Sequence, residues 1–122
     1  MRNRLAFVLV GAVGFASGAL LARPDAHNPP ENQKLAVRLE NDRVRVLELR
    51  LKPGEGEGFH THPQYLVYAL TNYRVKNTAE DGTSKVFERK AGDLFWGEPI
   101  THRGENVGDT EVRALIVELK GR

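Results

Sequence analysis

Three histidines carry the strongest chemical signal in this chain. His60 and His62 stand two residues apart, and His102 lies far downstream, behind Gly92, Pro99 and a strand-like segment. In an extended chain residues i and i+2 face the same side, so two imidazoles from one strand can aim at one point. A third from a neighbouring strand would complete a metal-ligand set. Neutral imidazole suits iron, manganese, nickel, copper and zinc alike. The chain has no cysteine, which removes disulfides, thiolate nucleophiles and Cys-ligated zinc or iron–sulfur centres together. Any metal here must be held by nitrogen and oxygen. The plain alternative is a pair of surface or turn histidines, so the decision rests on what surrounds them. The fourth histidine, His27, falls in a proline-rich stretch apart from the others.

The elements that must position these ligands read as strands and turns. Residues 34–40 alternate weakly. Residues 43–51 alternate clearly, with Val44, Val46, Leu49 and Leu51 apolar and a change of phase at Leu47 and Glu48 that predicts a bulge. Period two across such a segment marks a half-buried strand. Asn41 and Asp42 suggest a tight turn, Pro53 and Gly54 break the chain, and Asp81-Gly82 suggests a hairpin between residues 73–76 and 85–88. An Asp-Gly pair readily takes the positive φ that a two-residue hairpin requires. Residues 65–70, 94–96 and 112–119 complete the set of apolar runs, and nothing past residue 33 keeps a helical period over a long stretch. Strands separated by frequent turns imply an all-β sandwich or barrel.

Gly54, followed after five residues by His60 and then His62, is one half of a larger pattern. Gly92, Pro99, His102 and Asn106 form the other. Together they resemble the two-part signature of the cupin superfamily, and the short separation of the halves is similar to that of the stand-alone bacterial cupins. The resemblance covers residues 42–120 and implies a small double-stranded β-helix, or jelly-roll barrel. It also implies that His60, His62 and His102 bind a divalent metal inside the barrel mouth, with iron or manganese favoured and zinc, nickel or copper open. One departure stands out. The family pattern places a glutamate ligand shortly after the second histidine, where this chain has Pro63-Gln64-Tyr65-Leu66-Val67. Gln64 is the nearest oxygen donor there, although an amide is a weak neutral ligand. The site is thus either three histidines with open water positions or a degenerate one. Three neutral ligands leave the ion's charge uncompensated, which favours an anionic partner.

Around the motifs, Tyr68 shares the parity of His60 and His62, which predicts that its hydroxyl faces inward as a candidate catalytic group. Trp96 is placed to line the mouth, and Phe95 reads as core. Arg103 should point away from His102 on a regular strand. Glu55, Glu57 and Glu98 read as surface turn residues. Three functions fit: a metal-dependent, dioxygenase-type oxidoreductase acting on a small organic acid, a metal or small-ligand binding module without turnover, and a structural barrel with a decayed site. Fold alone does not choose among them. A homodimer through an edge strand at residues 34–40 is a further expectation.

Length and charge bound the remaining possibilities. With 122 residues the chain holds one domain. The net charge of +2 comes from Arg2 and Arg4, and the rest carries 16 basic and 16 acidic side chains. Such a balanced body lacks the clustered cations that neutralise phosphates, so nucleic acid is excluded as a partner. After Arg4, residues 5–22 carry no charge and end on small residues near Ala19 and Ala22. That reads as a secretory signal, or as a retained anchor tethering the chain to a membrane. Either places the domain in the periplasm or on a membrane facing it. Residues 23–33, with three of the six prolines, read as a linker to a barrel over residues 34–122.

Overall fold

The structure, a computed structural model, describes residues 34–121. The expected signal or anchor (1–22) and linker (23–33) lie outside the described residues. Among the described residues there is no helix. The strands are β1 (Leu35–Glu40), β2 (Val44–Leu51), β3 (His60–His62), β4 (Tyr65–Ala69), β5 (Tyr73–Ala79), β6 (Ser84–Arg89), β7 (Leu94–Gly97), β8 (Ile100–Asn106) and β9 (Val112–Leu119).

The turns form where the sequence asks for them. Asn41 Oδ1 accepts from the N–H groups of Arg43 and Val44 at 2.8 and 2.9 Å, an Asx-type turn that folds β1 back on β2. At the hairpin, Gly82 takes φ 92° and Asp81 accepts from the Thr83 N–H at 3.0 Å. Around that hairpin the pairing is nested: β5 with β6, β4 with β7, β3 with β8 and β2 with β9. A long β-ribbon has been rolled up about its tip, which is the jelly-roll topology. All pairs are antiparallel, and they make a five-stranded sheet in the order β1-β2-β9-β4-β7 and a four-stranded sheet in the order β3-β8-β5-β6.

The alternation of side chains across the sheets builds the interior in rows. Leu35, Leu49, Ala114 and Ala69 align across the five-stranded sheet, and Val37, Leu47, Ile116, Val67 and Phe95 form the next row. Most of these are buried core. The row beyond them is Arg45, Glu118, Tyr65 and Gly97, polar where its neighbours are apolar. On the facing sheet His60, His102 and Ala79 align. The barrel is therefore apolar along most of its length and polar at one end.

One local expectation is corrected. β2 is regular throughout its pairing with β9, with Leu47, Leu49 and Leu51 on the inner face, and the irregularity lies in β1 between Val37 and Leu39. The apolar Val44 and Val46 sit on the outer face, which gives the sequence its false change of phase.

Candidate metal centre

His60 and His102 are direct cross-strand partners on β3 and β8, and His62 is two residues along on the same face as His60. The relative exposures are 9%, 1% and 8% for His60, His62 and His102. Ring centroids lie 4.7 Å (His60–His62), 4.9 Å (His60–His102) and 5.3 Å (His62–His102) apart. One nitrogen from each lies within 4.8 Å of the others. These are the three histidines singled out in the sequence, and the fold brings all three together.

Hydrogen bonds fix how two of the rings present themselves. His60 Nδ1 donates to the Gly58 carbonyl at 2.9 Å, which leaves its Nε2 lone pair unspent in the neutral ring. His62 Nδ1 lies 2.5 Å from Glu118 Oε2, and the other Glu118 oxygen accepts from Arg45 Nε at 3.0 Å. A carboxylate behind a histidine is the arrangement that fixes tautomer and ring orientation in metal sites. Burial pushes the Glu118 carboxyl up, but the His62 hydrogen bond and the Arg45 charge outweigh it and hold the group below the usual glutamate value. His102 Nδ1 is buried with no hydrogen-bond partner.

Burial, reinforced by the neighbouring His62, lowers the His60 pKa to about 4. Burial with the neighbouring His60 and His62 lowers that of His102 to about 3. Both rings are neutral near neutral pH, the form that donates a lone pair to a metal. The donor set fits a divalent ion of the borderline class, with two oriented Nε2 atoms, a third buried imidazole carrying an orphaned nitrogen, and no thiolate.

Tyr68 and Gln64, the other expected site residues, are placed away from the three histidines. Tyr68 is 44% exposed on the outer face of β4, which corrects the inward orientation expected from parity. Parity does not carry across Pro63 and Gln64, because the chain passes there from the four-stranded sheet to the five-stranded one. On the new strand it is Tyr65 that turns inward, its ring 4.9 Å from that of His62. Gly97 makes room for it, since a Cβ there would fall 2.0 Å from the Tyr65 ring. Gln64 is exposed and donates to Glu98 Oε1 at 3.3 Å. Trp96 is half-exposed, its indole N–H donating to Glu98 Oε2 at 2.9 Å. Phe95 packs against the core, and the exposed Arg103 lies over the Phe59 ring at 5.3 Å.

Glu57 overturns its expected role as a surface turn residue. Its side chain is only 4% exposed, with Oε2 3.7 Å from His60 Nε2 and Oε1 buried without a partner. Burial, against a weaker opposing hydrogen bond from the Gly104 backbone, pushes its carboxyl up to about 8. The alternation rule could not find it, because residues 53–58 are not an independent strand. They are laced onto β8 by Gly54 N–H to Asn106 O at 3.0 Å, Asn106 N–H to Glu55 O at 2.9 Å and Glu57 N–H to Gly104 O at 3.0 Å.

No protein-family model and no curated protein matches the chain. Among solved structures it is similar to a cupin domain from Bordetella pertussis Tohama I, with a TM-score of 0.65 and 29% identity over 71% of this chain and 92% of the other. A conserved protein with a double-stranded β-helix domain from Klebsiella pneumoniae gives a TM-score of 0.58 and 24% identity over 77% of this chain and 84% of the other. A cupin-like protein from Thermotoga maritima gives a TM-score of 0.51 and 16% identity over 65% and 59%. The fold is thus the double-stranded β-helix of the cupins, with three histidines gathered within it.

Proposed function

We propose that this cupin barrel holds one divalent ion, iron(II) or manganese(II), on His60, His62 and His102, and uses it with dioxygen to act on a small organic acid. The observation that carries the reading is the buried cluster of His60, His62 and His102, one nitrogen of each within 4.8 Å of the others, with His60 and His62 anchored through Nδ1 on Gly58 O and on Glu118. A bound ion would supply positive charge for a carboxylate and an electron-donating centre for oxygen chemistry. The residues of the chain supply everything else. Three neutral imidazoles leave the charge of the ion uncompensated and so select an anion. Tyr65 closes over His62, and the apolar row of Val67 and Phe95 lies next to it, which suits a small molecule with an apolar body.

Metal content of the purified protein, with His62→Ala beside it, is the direct test. Near-stoichiometric iron or manganese in the wild type alone supports the site, and no uptake of any ion overturns it. Oxygen consumption with a panel of small organic acids then separates an enzyme from a binding module. The binding module is favoured by one observation, that Tyr68 cannot steer protons from the outer face.

The same proposal places the protein outside the cytoplasm, on the strength of Arg2, Arg4 and the uncharged residues 5–22. A new N-terminus near Arg23 with recovery in the soluble exported fraction supports cleavage, whereas the intact chain in membranes indicates an anchor. It also includes a homodimer through β1, which ends the five-stranded sheet and exposes Val37 and Leu39. Sedimentation of the wild type against Leu39→Lys tests it, and equal monomeric mass for both would remove it.

A further inference from the structure

Glu57 and His60 face each other with no hydrogen bond between them. Because His60 Nδ1 is the donor to Gly58 O at 2.9 Å, the neutral ring has only a lone pair at Nε2. That lone pair looks at Glu57 Oε2 from 3.7 Å, beyond hydrogen-bond range. Glu57 Oε1, on the same buried side chain, has no hydrogen-bond partner. A lone pair facing a buried carboxyl in a dry place calls for a positive charge between them, either a proton kept on the carboxyl or a metal ion bound by both.

We infer that Glu57 is the carboxylate ligand of the metal centre, joining the ion from the His60 side. The inference rests on the three-histidine reading above and names the oxygen donor which that reading lacks. The usual place for such a carboxylate, just after the second histidine, holds none between Pro63 and Val67. Glu57 lies on the other side of the pair, three residues before His60.

The surroundings are built to keep it there. Its N–H is tied to Gly104 O at 3.0 Å, and the Gly54 and Glu55 backbone is tied to Asn106, so the segment cannot swing away from β8. Gly104 lies directly beneath the carboxylate, where a Cβ would fall 3.0 Å from Glu57 Oε2 and 3.2 Å from Asn77 Oδ1. A bare glycine on β8 thus leaves the room the carboxylate occupies. One anionic ligand added to three neutral ones offsets half the charge of a divalent ion and raises the affinity of the set.

Cobalt(II) alone is a suitable probe, since its visible absorption reports the donor set directly. Wild type, Glu57→Gln and His60→Ala are titrated with Co(II), and the dissociation constant and band positions are read for each. The inference expects Glu57→Gln to bind at least 10–100-fold more weakly and to show shifted bands. Wild-type affinity with an unchanged spectrum in Glu57→Gln overturns it, and the three-histidine site then stands by itself. Absent binding in the wild type, or undiminished binding in His60→Ala, overturns the histidine site instead. Near-UV circular dichroism of the metal-free variant checks its packing. Should Glu57→Gln not fold, Glu57→Asp keeps the charge with a shorter reach, and it too must weaken binding and move the bands.

Discussion

The Nδ1 atom of His62 is held by a carboxylate, while that of His102 is held by nothing, and this difference decides how each ring answers to substitution. Glu118→Gln keeps the size of the side chain but loses the charge that fixes the His62 ring. Metal affinity is expected to fall about 10–100-fold, read by competitive titration with a chelator of known affinity. Protonation gives a second expectation, for the metal-free protein. His60 and His102 hold folded pKa values of about 4 and about 3 against an ordinary 6.5. Below pH 6.5 the unfolded chain therefore binds protons that the folded one refuses, and stability falls as pH drops toward 4. Glu57 acts with the opposite sign. Raised from 4.5 to about 8, it binds a proton in the fold that the unfolded chain has released, so stability falls as pH rises from 4.5 to 8. Denaturant unfolding without metal should peak near pH 6.5, and Glu57→Gln should flatten the alkaline limb. An alkaline limb unchanged in that variant would refute the assignment to Glu57.

At the scale of elements, Asn106 fastens the end of β8 to its surroundings. Its Nδ2 donates to Leu51 O at 2.9 Å and to Thr110 O at 2.8 Å, and its Oδ1 accepts from the Gly108 N–H at 2.9 Å. Asn106→Ala leaves the buried Leu51 carbonyl without this donor, which is expected to cost about 2–3 kcal/mol in urea unfolding. The strands themselves were largely legible, because Val112–Leu119 alternates buried and half-buried along its whole length and Asp81-Gly82 makes the turn its chemistry implies. Pro99 and the three histidines were legible for the same reason, since their spacing is local to two strands. What stayed hidden is non-local. Tyr65 replaces Tyr68 because the chain changes sheets between β3 and β4. Glu57 is buried because its loop lies on Gly104, and Glu118 reaches His62 from a strand 56 residues away. No period within a segment carries those facts.

For the molecule as a whole, an ion held at the proposed centre would act as a stability reagent. At a free concentration of about 100 times Kd it should raise the unfolding free energy by about 2.7 kcal/mol, a shift of roughly 10–20 °C in Tm by calorimetry. His60→Ala should remove most of that shift while leaving the metal-free Tm much less changed. On its outside the five-stranded sheet exposes Tyr68, Leu94 and Trp96, with Tyr68 opposite Leu94 and Trp96 opposite Leu66 on adjoining strands. Apolar side chains gathered in this way are uncommon on the surface of a chain that stays alone.

The nested pairing of the ribbon also sets the order of events as the protein forms. Hairpin β5–β6 can close early, but His60 meets His102, and His62 meets Glu118, only when the outer turns of the roll have come together. Contacts of such long range are the slow ones in folding. Until then the chain offers a metal only its local donors around His60 and His62, without His102. On the proposed metal-binding reading, chelation by all three histidines follows the rolling of the ribbon rather than seeding it.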